Sequence, residues 1–242
     1  MLNRRELLKN SAFLSAIAAL GIKPGQVLAA DENVLKVRME ADIQVLDPGY
    51  MIGGAETSIQ FACLPRLAQP VKDAAGNWTW AASDYVEKIN QDDPTHISFT
   101  LKPGFMWNGD LGEVTADDVK YSFERMLKSD WAARWPTLEK VDVTDKYNGV
   151  IVLKSPFAAT FLMGIASESG SILPKAATEK LTDQKFTTEL PGQCGPYIMT
   201  EWTPKQEVVI KENPDWKGTK PVWPEVHFIN IEDTSEIGRA HV

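Results

Sequence analysis

Residues that bind metals or form covalent intermediates are scarce in this sequence. Its 242 residues include two cysteines, Cys63 and Cys194, and three histidines, His96, His227 and His241. No pair of these has metal-ligand spacing, and neither a His-Glu-x-x-His nor a Cys-x-x-Cys motif occurs. We therefore expect neither a metal site nor a cofactor.

Motifs for nucleophilic or phosphate chemistry are also missing. The sequence has no Gly-x-Ser-x-Gly turn and no glycine-rich phosphate loop that carries a lysine. The acidic pairs Asp92-Asp93 and Asp117-Asp118 fall in a predicted turn and at a predicted helix start, where structural roles account for them. These absences predict that the protein is not an enzyme.

Long hydrophobic runs are lacking once the N-terminus is set aside, which argues against a membrane-spanning helix. Basic residues are the minority, with 25 Lys and Arg against 33 Asp and Glu, so the net charge is −8. An acidic surface repels phosphate backbones, which disfavours binding to nucleic acid. Hydrophobic residues make up 43% of the chain, enough for the packed core of one large or two small domains.

The first 30 residues have the layout of a cleavable export signal. They begin with the pair Arg4-Arg5, continue through an apolar stretch at residues 12–20, and end in Ala29-Ala30. The arginine pair is typical of a twin-arginine signal, and an ordinary signal peptide is the alternative. Both readings predict a periplasmic or cell-surface protein. Cleavage removes four basic residues and one acidic residue, which leaves a net charge of −11.

The two cysteines leave two interpretations open. An oxidising compartment permits a disulfide between Cys63 and Cys194, but the sequence does not place their Cα atoms within bridging distance. A domain of this size does not need a disulfide to fold. We therefore favour two separate buried thiols.

Apolar periodicity predicts short strands mixed with helices, which indicates an α/β or α+β fold. A hairpin is predicted at residues 141–154, with its turn at Asn148-Gly149. Helices are predicted from Thr57 and over residues 158–166. The other predicted strands cover residues 34–39, 85–89, 96–102, 197–202, 207–211 and 225–231.

The most clearly marked helix follows Thr115, which caps its first turn together with Asp118. Apolar residues recur on one face of this helix at the spacing of helical turns. The four residues of this apolar face are Val119, Phe123, Met126 and Leu127.

Five segments occur in the order and spacing of one protein family: LDP at 46–48, the block at 99–126, VIVLKSPFAATFL at 150–162, ILPK at 172–175, and the block at 194–218. They resemble the extracytoplasmic solute-binding proteins of ABC importers, in the peptide/nickel class called family 5. The resemblance covers residues 34–233, and the second and fifth segments are its most specific parts.

Three positions depart from the pattern of that family. Cys194 stands where the family usually has threonine, Tyr85 where tryptophan is common, and Trp107 where a small polar residue is common. The first two concern packing and the entry into a strand, so the expected fold is unchanged.

The resemblance implies an α/β, periplasmic-binding-protein-like fold of type II with an extra subdomain, of which this chain holds lobe one only, and that lobe incompletely. Residues 31–50 and 165–235 would form the core of that lobe, and residues 51–164 an inserted subdomain. It also implies a monomeric carrier, without catalysis, that delivers a small solute to the permease and ATPase subunits of a transporter. A di- or oligopeptide is the favoured solute; an oligosaccharide, an opine-like conjugate and a nickel chelate are the alternatives.

The family places the loop at residues 49–57 at the ligand cleft, where exposed backbone amides bind carbonyl or carboxylate groups. A plain surface loop is the alternative. The candidate ligand residues of this loop are Tyr50, Met51, Gly53, Gly54, Glu56 and Thr57.

Two further segments are candidates for the cleft. Trp131 and Trp135 could form a flat stacking wall, although most tryptophans serve core packing. Ser167 and Ser169, in a polar segment that contains glycine, are weaker candidates.

Two other functions stay open, a secreted hydrolase of peptides or glycans and a chemosensory binding protein without transport. Residues 236–242, EIGRAHV, back-translate to a widely used sequencing-adapter sequence, so we expect a non-native tail. Members of the family are much longer, so we expect an N-terminal fragment without lobe two, which would bind a solute weakly.

Overall fold

The computed structural model describes residues 33–50 and 53–231. The predicted export signal with Arg4 and Arg5, the candidate ligand residue Met51 and the predicted tail lie outside these residues. The described residues from Leu35 onward belong to one compact unit. Within the described ranges, no helix combines the length and the apolar character that a bilayer crossing needs.

The first sheet joins the beginning of the described chain to its end. Its four strands lie in the order β1-β10-β9-β8, and β8, β9 and β10 pair antiparallel. The prediction of β1 is confirmed, and the other three strands agree with prediction to within one residue. The strands are β1 (Val34–Met39), β8 (Tyr197–Thr203), β9 (Glu207–Glu212) and β10 (Glu225–Asn230).

The second sheet comes from the middle of the chain, and its order is β4-β5-β7-β6. Along β5, Ile97, Phe99 and Leu101 are buried and the residues between them are not, as the alternating pattern predicts. The strands are β4 (Val86–Asp93), β5 (His96–Leu101), β6 (Leu138–Val143) and β7 (Asn148–Leu153).

A separate two-stranded hairpin, β2 (Ala68–Lys72) with β3 (Trp78–Ala82), was not predicted. Its sequence lacks a clear alternation, since Trp78 is exposed and Trp80 is half-buried. Trp80 stacks on Phe161 with ring centroids 3.8 Å apart, so a contact that is distant in sequence supports the hairpin.

Helix α2 (Ala116–Met126) begins as predicted, because the Asp118 carboxylate accepts hydrogen bonds from the backbone N–H and the hydroxyl of Thr115 at 2.9 and 3.0 Å. Val119, Phe123 and Met126 are fully buried. The fourth residue of the predicted apolar face, Leu127, is 37% exposed, so this part of the prediction is wrong. The helix ends at Met126, and Leu127 is its C-cap.

The hairpin of β6 and β7 turns at residues 144–147, and the predicted turn at Asn148-Gly149 is wrong. The Asp145 carboxylate holds the turn by accepting hydrogen bonds from the backbone N–H groups of Tyr147 and Asn148. Gly149 lies in β7, where an added Cβ would be 2.6 Å from the Phe99 ring. This glycine provides packing space for Phe99 rather than a turn.

Three further helical segments complete the part of the fold that surrounds the candidate site. Helix α1 (Gly54–Cys63) begins three residues before its predicted start, and residues 160–165 form a π-helix within the segment predicted to be helical. A short helix, α3 (Lys175–Thr178), follows. Since α1 packs against β8, it contacts the first sheet, although its residues fall in the predicted insertion. The division into residues 31–50 with 165–235 and residues 51–164 therefore stays an interpretation.

Candidate functional site

A cavity of about 460 Å³ lies where the end of β1 meets the start of α1. Three of the candidate ligand residues, Gly53, Gly54 and Glu56, are in its wall. The remaining lining residues are Arg38, Met39, Glu40, Ala41, Asp42, Gln44 and Ala55. The loop predicted to contact a solute therefore opens onto a cavity large enough for a small molecule.

The N-terminus of α1 forms one side of this cavity. Gly53 is the N-cap residue and supplies no side chain to cap the helix. Gly53 therefore leaves the N–H groups of the first turn without a capping side chain of its own, and the positive end of the helix dipole lies at this side of the cavity. Thr57 offers no free donor, because its hydroxyl and its backbone N–H both donate to the Gly53 carbonyl, at 3.1 and 3.3 Å.

Glu56 brings a buried carboxylate to the same place. Its residue is 4% exposed, and one carboxylate oxygen accepts a hydrogen bond of 3.1 Å from the backbone N–H of Gln44. The other oxygen lies against Gly53, in the space that a Cβ would fill. Glycine at position 53 therefore lets the carboxylate fold back onto the start of α1 and tie it to the segment after β1.

The opposite wall is held by side-chain contacts that span the chain. Arg38 donates from Nε and Nη2 to the carbonyl of Ile231, at 3.3 and 3.2 Å. Asp42 accepts from the indole N–H of Trp202 at 3.0 Å and from the backbone N–H of Lys205 at 2.7 Å. These contacts fix the end of β1 to the first sheet, so the wall of the cavity is built on a rigid element.

Tyr50 lies apart from this cavity and lines two others. One, of about 390 Å³, is mostly apolar and includes Val45, Lys185 and Phe186; the second measures about 330 Å³. The ammonium of Lys185 lies 4.0 Å from the centroid of the Tyr50 ring. A half-buried aromatic ring beside a cation and an apolar wall can accept a side chain or ring of a solute.

A buried ion pair supports the segment that carries Tyr50. The Asp47 carboxylate accepts from Arg125 Nη1 at 2.8 Å and from the backbone N–H of Gly49 at 3.0 Å. Burial is the largest single influence and lowers the pKa of Arg125, but the hydrogen bond to Asp47 and the nearby negative charge of Asp47 together outweigh it, so the pKa is raised above the usual value. The turn at residues 47–50 is thereby anchored to α2.

The two tryptophans occupy different surroundings. Trp131 is half-buried, with the Arg134 guanidinium 4.4 Å from its ring centroid. Arg134 also pairs with Glu168 at 2.6 Å, which links Trp131 to the serine segment. Trp135 is only 2% exposed, so it offers no stacking face to a solute in this structure. Its indole N–H instead donates to the Ser169 hydroxyl at 3.1 Å.

Ser167 and Ser169 are also buried, and their hydroxyls are 2.8 Å apart. The Ser167 hydroxyl donates to the carbonyl groups of Met163 and Gly164, at 2.8 and 2.9 Å. The two serines therefore hold the π-helix and the segment after it together. Trp135, Ser167 and Ser169 are all buried in this structure, and their place at a cleft stays a prediction.

Several residues of these walls were not predicted from the sequence. Arg38, Gln44, Arg134 and Lys185 lack a local signal, because each is placed by a contact with a distant part of the chain. Asp47 was noted only within the family segment at residues 46–48, although a buried acid next to a proline suggests a partner.

No group of three or more His, Cys, Asp or Glu residues within residues 33–50 and 53–231 could hold a metal ion. His227 lies between two carboxylates, with Nδ1 2.7 Å from Glu207 and Nε2 2.7 Å from Glu225. Burial is the largest single influence and lowers the pKa of His227, but the two hydrogen bonds and the charges of the two carboxylates together outweigh it and raise the pKa above its usual value.

Comparison with known proteins identifies the family. A model described as bacterial extracellular solute-binding proteins, family 5 Middle, matches residues 70–240. The chain belongs to this family. The probable D,D-dipeptide-binding periplasmic protein DdpA of Escherichia coli K12 is a family 5 relative that is 31% identical over 199 residues, covering 80% of this chain. Di/tripeptide-binding protein 2 of Pseudomonas aeruginosa UCBPP-PA14 is 26% identical, and the alignment covers 97% of this chain.

Solved structures of similar proteins share the fold of this family 5 chain. The binding protein MoaA from A. tumefaciens R10, in complex with mannopinic acid, superposes with a TM-score of 0.74 at 20% identity over 87% of this chain. DppA from Helicobacter pylori, in complex with the peptide STSA, gives a TM-score of 0.72 at 20% identity over 86%. The prediction of an α/β, periplasmic-binding-protein-like fold is confirmed.

The chain spans only part of these proteins. It covers 38% of DdpA, 47% of the di/tripeptide-binding protein, and 44% of each of the two solved chains. The fold described here therefore corresponds to part of the larger fold of those proteins.

Proposed function

We propose that this chain is part of the substrate-binding component of an ABC importer, which captures a small solute outside the cytoplasmic membrane. The solute is then delivered to the permease and ATPase subunits in the membrane. The observation that carries the proposal is the cavity at the uncapped start of α1, in a chain that belongs to family 5 of the solute-binding proteins. A carrier needs such a cavity and needs no catalytic group.

A di- or oligopeptide is the solute that this site suits best. The N–H groups at the start of α1 are donors for a peptide carbonyl or carboxylate, and the carboxylate of Glu56 is an acceptor for an ammonium or amide group. Both kinds of group alternate along a peptide. The names of the two curated relatives, which refer to dipeptides and tripeptides, support the same class.

An opine is the second candidate, because one solved relative holds mannopinic acid. Opines carry carboxylates next to a secondary amine, so they would use the same donors and acceptor. The proposed contact residues within the described ranges are Gly53, Gly54 and Glu56 in the first cavity, with Tyr50 and Trp131 beyond it. Thr57 would act indirectly, by holding Gly53.

We further propose a periplasmic location, which the name of the D,D-dipeptide-binding relative supports. The test uses the purified full-length protein. It is titrated by calorimetry with an L,L-dipeptide, a D,D-dipeptide, mannopinic acid and a nickel chelate. A micromolar or tighter ligand is expected to raise the melting temperature by several degrees when saturating. Heat and melting temperature unchanged by all four would contradict the proposal.

The variant Glu56→Gln tests the site itself. It keeps the shape of the side chain and removes its charge, so a ligand with an ammonium group should bind about tenfold more weakly. Asp142→Asn is the matched control, since Asp142 is half-exposed on β6 and pairs only with Lys140. Equal loss of affinity in both variants would place the ligand elsewhere.

A further inference from the structure

The fold brings together the two cysteines of the chain, which are far apart in sequence. Cys63 is the last residue of α1, and Cys194 precedes β8. The backbone N–H of Cys194 donates to the carbonyl oxygen of Cys63 at 3.0 Å, and the N–H of Gly195 donates to the same oxygen at 2.9 Å. The thiols are free and buried, as expected, and the backbones of the two residues are in contact.

This backbone contact sets the Cα separation of the two cysteines, which together with the direction of their side chains governs whether they can be bridged. A hydrogen bond of 3.0 Å from the N–H of one residue to the carbonyl of another leaves their Cα atoms about 5–6 Å apart. Disulfides span Cα separations of about 4.4–6.8 Å, with a mode near the middle of this range. The backbone therefore already has the spacing of a disulfide.

Gly195 shows that the close approach is built into the packing. A Cβ at position 195 would collide with the backbone carbonyl of Ala62, so only glycine lets the two segments touch. The Tyr85 hydroxyl donates to the carbonyl of Cys194 at 2.9 Å and holds the second segment from the other side. The pair is held by the core and does not depend on a mobile surface loop.

We propose that Cys63 and Cys194 form an intramolecular disulfide when the chain folds under oxidising conditions. The oxidant is a small-molecule or protein disulfide. One cysteine thiolate attacks a sulfur of that disulfide and releases a thiolate, and the second cysteine then attacks the mixed disulfide and releases the other. Two thiols and one external disulfide thus become the Cys63–Cys194 disulfide and two reduced thiols.

The burial of the two cysteines determines at which stage of folding this reaction occurs. The two residues are 0% and 2% exposed, and desolvation raises the pKa of each thiol to about 12. The thiolate is the reactive form, so the closed core protects the reduced pair. Pairing must therefore take place while α1 and the strand β8 are still docking.

The bond would fasten the end of α1 to the entry of β8. The other end of α1 carries Gly54 and Glu56, which line the candidate cavity. A disulfide here would hold the helix that supports the site, and it would restrict the unfolded chain by closing a loop of more than ~100 residues.

The experiment refolds the reduced, denatured chain in a mixture of oxidised and reduced glutathione. Free thiols are then alkylated with iodoacetamide under denaturing conditions, and the intact mass and the unreduced tryptic peptides are measured. We expect no alkylation, the loss of two hydrogens, and one cross-linked peptide pair that contains Cys63 and Cys194. A chain that circular dichroism shows to be folded, with both thiols alkylated, would overturn the proposal.

Two controls separate native pairing from random oxidation. Cys63→Ser and Cys194→Ser should each leave one alkylated thiol in the monomer. The ratio of disulfide to dithiol for the unmodified chain should be at least ~100-fold higher in buffer than in concentrated urea, because only the fold brings the cysteines together. The oxidised chain should also melt about 10 °C above the reduced chain. Equal ratios, or a lower melting temperature on oxidation, would refute pairing in the native geometry.

Discussion

Gly53 and Glu56 are in direct contact at the start of α1, where the Glu56 carboxylate fills the space of a Cβ at position 53. The backbone of Gly53, with φ of −133° and ψ of 167°, is open to any residue. The requirement for glycine is therefore one of space. This contact connects the shape of the cavity to the position of a single carboxylate.

Gly53→Ala should displace the Glu56 carboxylate and break its hydrogen bond to the backbone N–H of Gln44. We expect a loss of about 1–2 kcal/mol in the free energy of unfolding, together with weaker solute binding. Gly54→Ala is the matched control, because nothing lies within 4 Å of a Cβ there. It should leave stability unchanged or raise it by about 0.5 kcal/mol. Urea denaturation measures both, and equal effects would contradict the role of Gly53.

The ion pair of Asp47 and Arg125 should dominate the stability of the turn that carries Tyr50. Its side chains are 0% and 8% exposed. Asp47→Asn leaves the Arg125 charge buried without its counter-ion, so we expect a loss of about 3 kcal/mol. Asp142→Asn in the exposed pair with Lys140 should have no measurable effect. Urea midpoints compare the two, and a difference near zero would mean that water replaces the Asp47 carboxylate.

Substitution of Trp135 should mainly lower stability, whereas substitution of Trp131 should mainly weaken solute binding. Trp135→Ala removes a buried ring that packs on Phe123 with centroids 4.6 Å apart, so about 3–5 kcal/mol of stability should be lost. Trp131→Ala should cost less stability and weaken solute binding by about threefold to tenfold. Thermal melting and calorimetry of both variants test this. Unchanged affinity in Trp131→Ala would remove Trp131 from the proposed site.

His227 should make stability depend on pH. Its pKa in the folded state is raised above 6.5, so the protonated ring between Glu207 and Glu225 stabilises the fold. This contribution is fully present below the unfolded pKa of about 6.5 and is lost as the pH rises through the folded value. The hydrogen bond to His227 lowers the pKa of Glu225, which sets the acidic limit of this window.

The expected result is a difference in unfolding free energy between the unmodified chain and His227→Gln that is larger near pH 6 than well above the folded pKa. Urea denaturation at several pH values measures that difference, and NMR titration of the ring gives the pKa directly. A difference that does not change with pH would rule out the charged histidine as its cause.

Local patterns were enough for many elements of the fold. The alternation of Ile97, Phe99 and Leu101 predicts the buried face of β5, since strand side chains alternate with a period of two. The pairing of Thr115 with Asp118 predicts the start of α2, because both groups of a capping box lie within one turn. The order of the family's segments also predicted the fold class, and the residues of the loop before α1 were predicted as candidates for the site.

Strands, caps and an apolar face could be predicted from the sequence, because they depend on neighbours within a few positions. Three contacts are visible only in the folded chain: Gly149 makes room for Phe99, Trp135 is buried on Ser169, and the backbone of Cys63 touches that of Cys194. Each of these contacts joins segments that are distant in sequence, and no local period records them. The packing of the whole chain determines such contacts, because the burial of a residue depends on which distant segments pack against it.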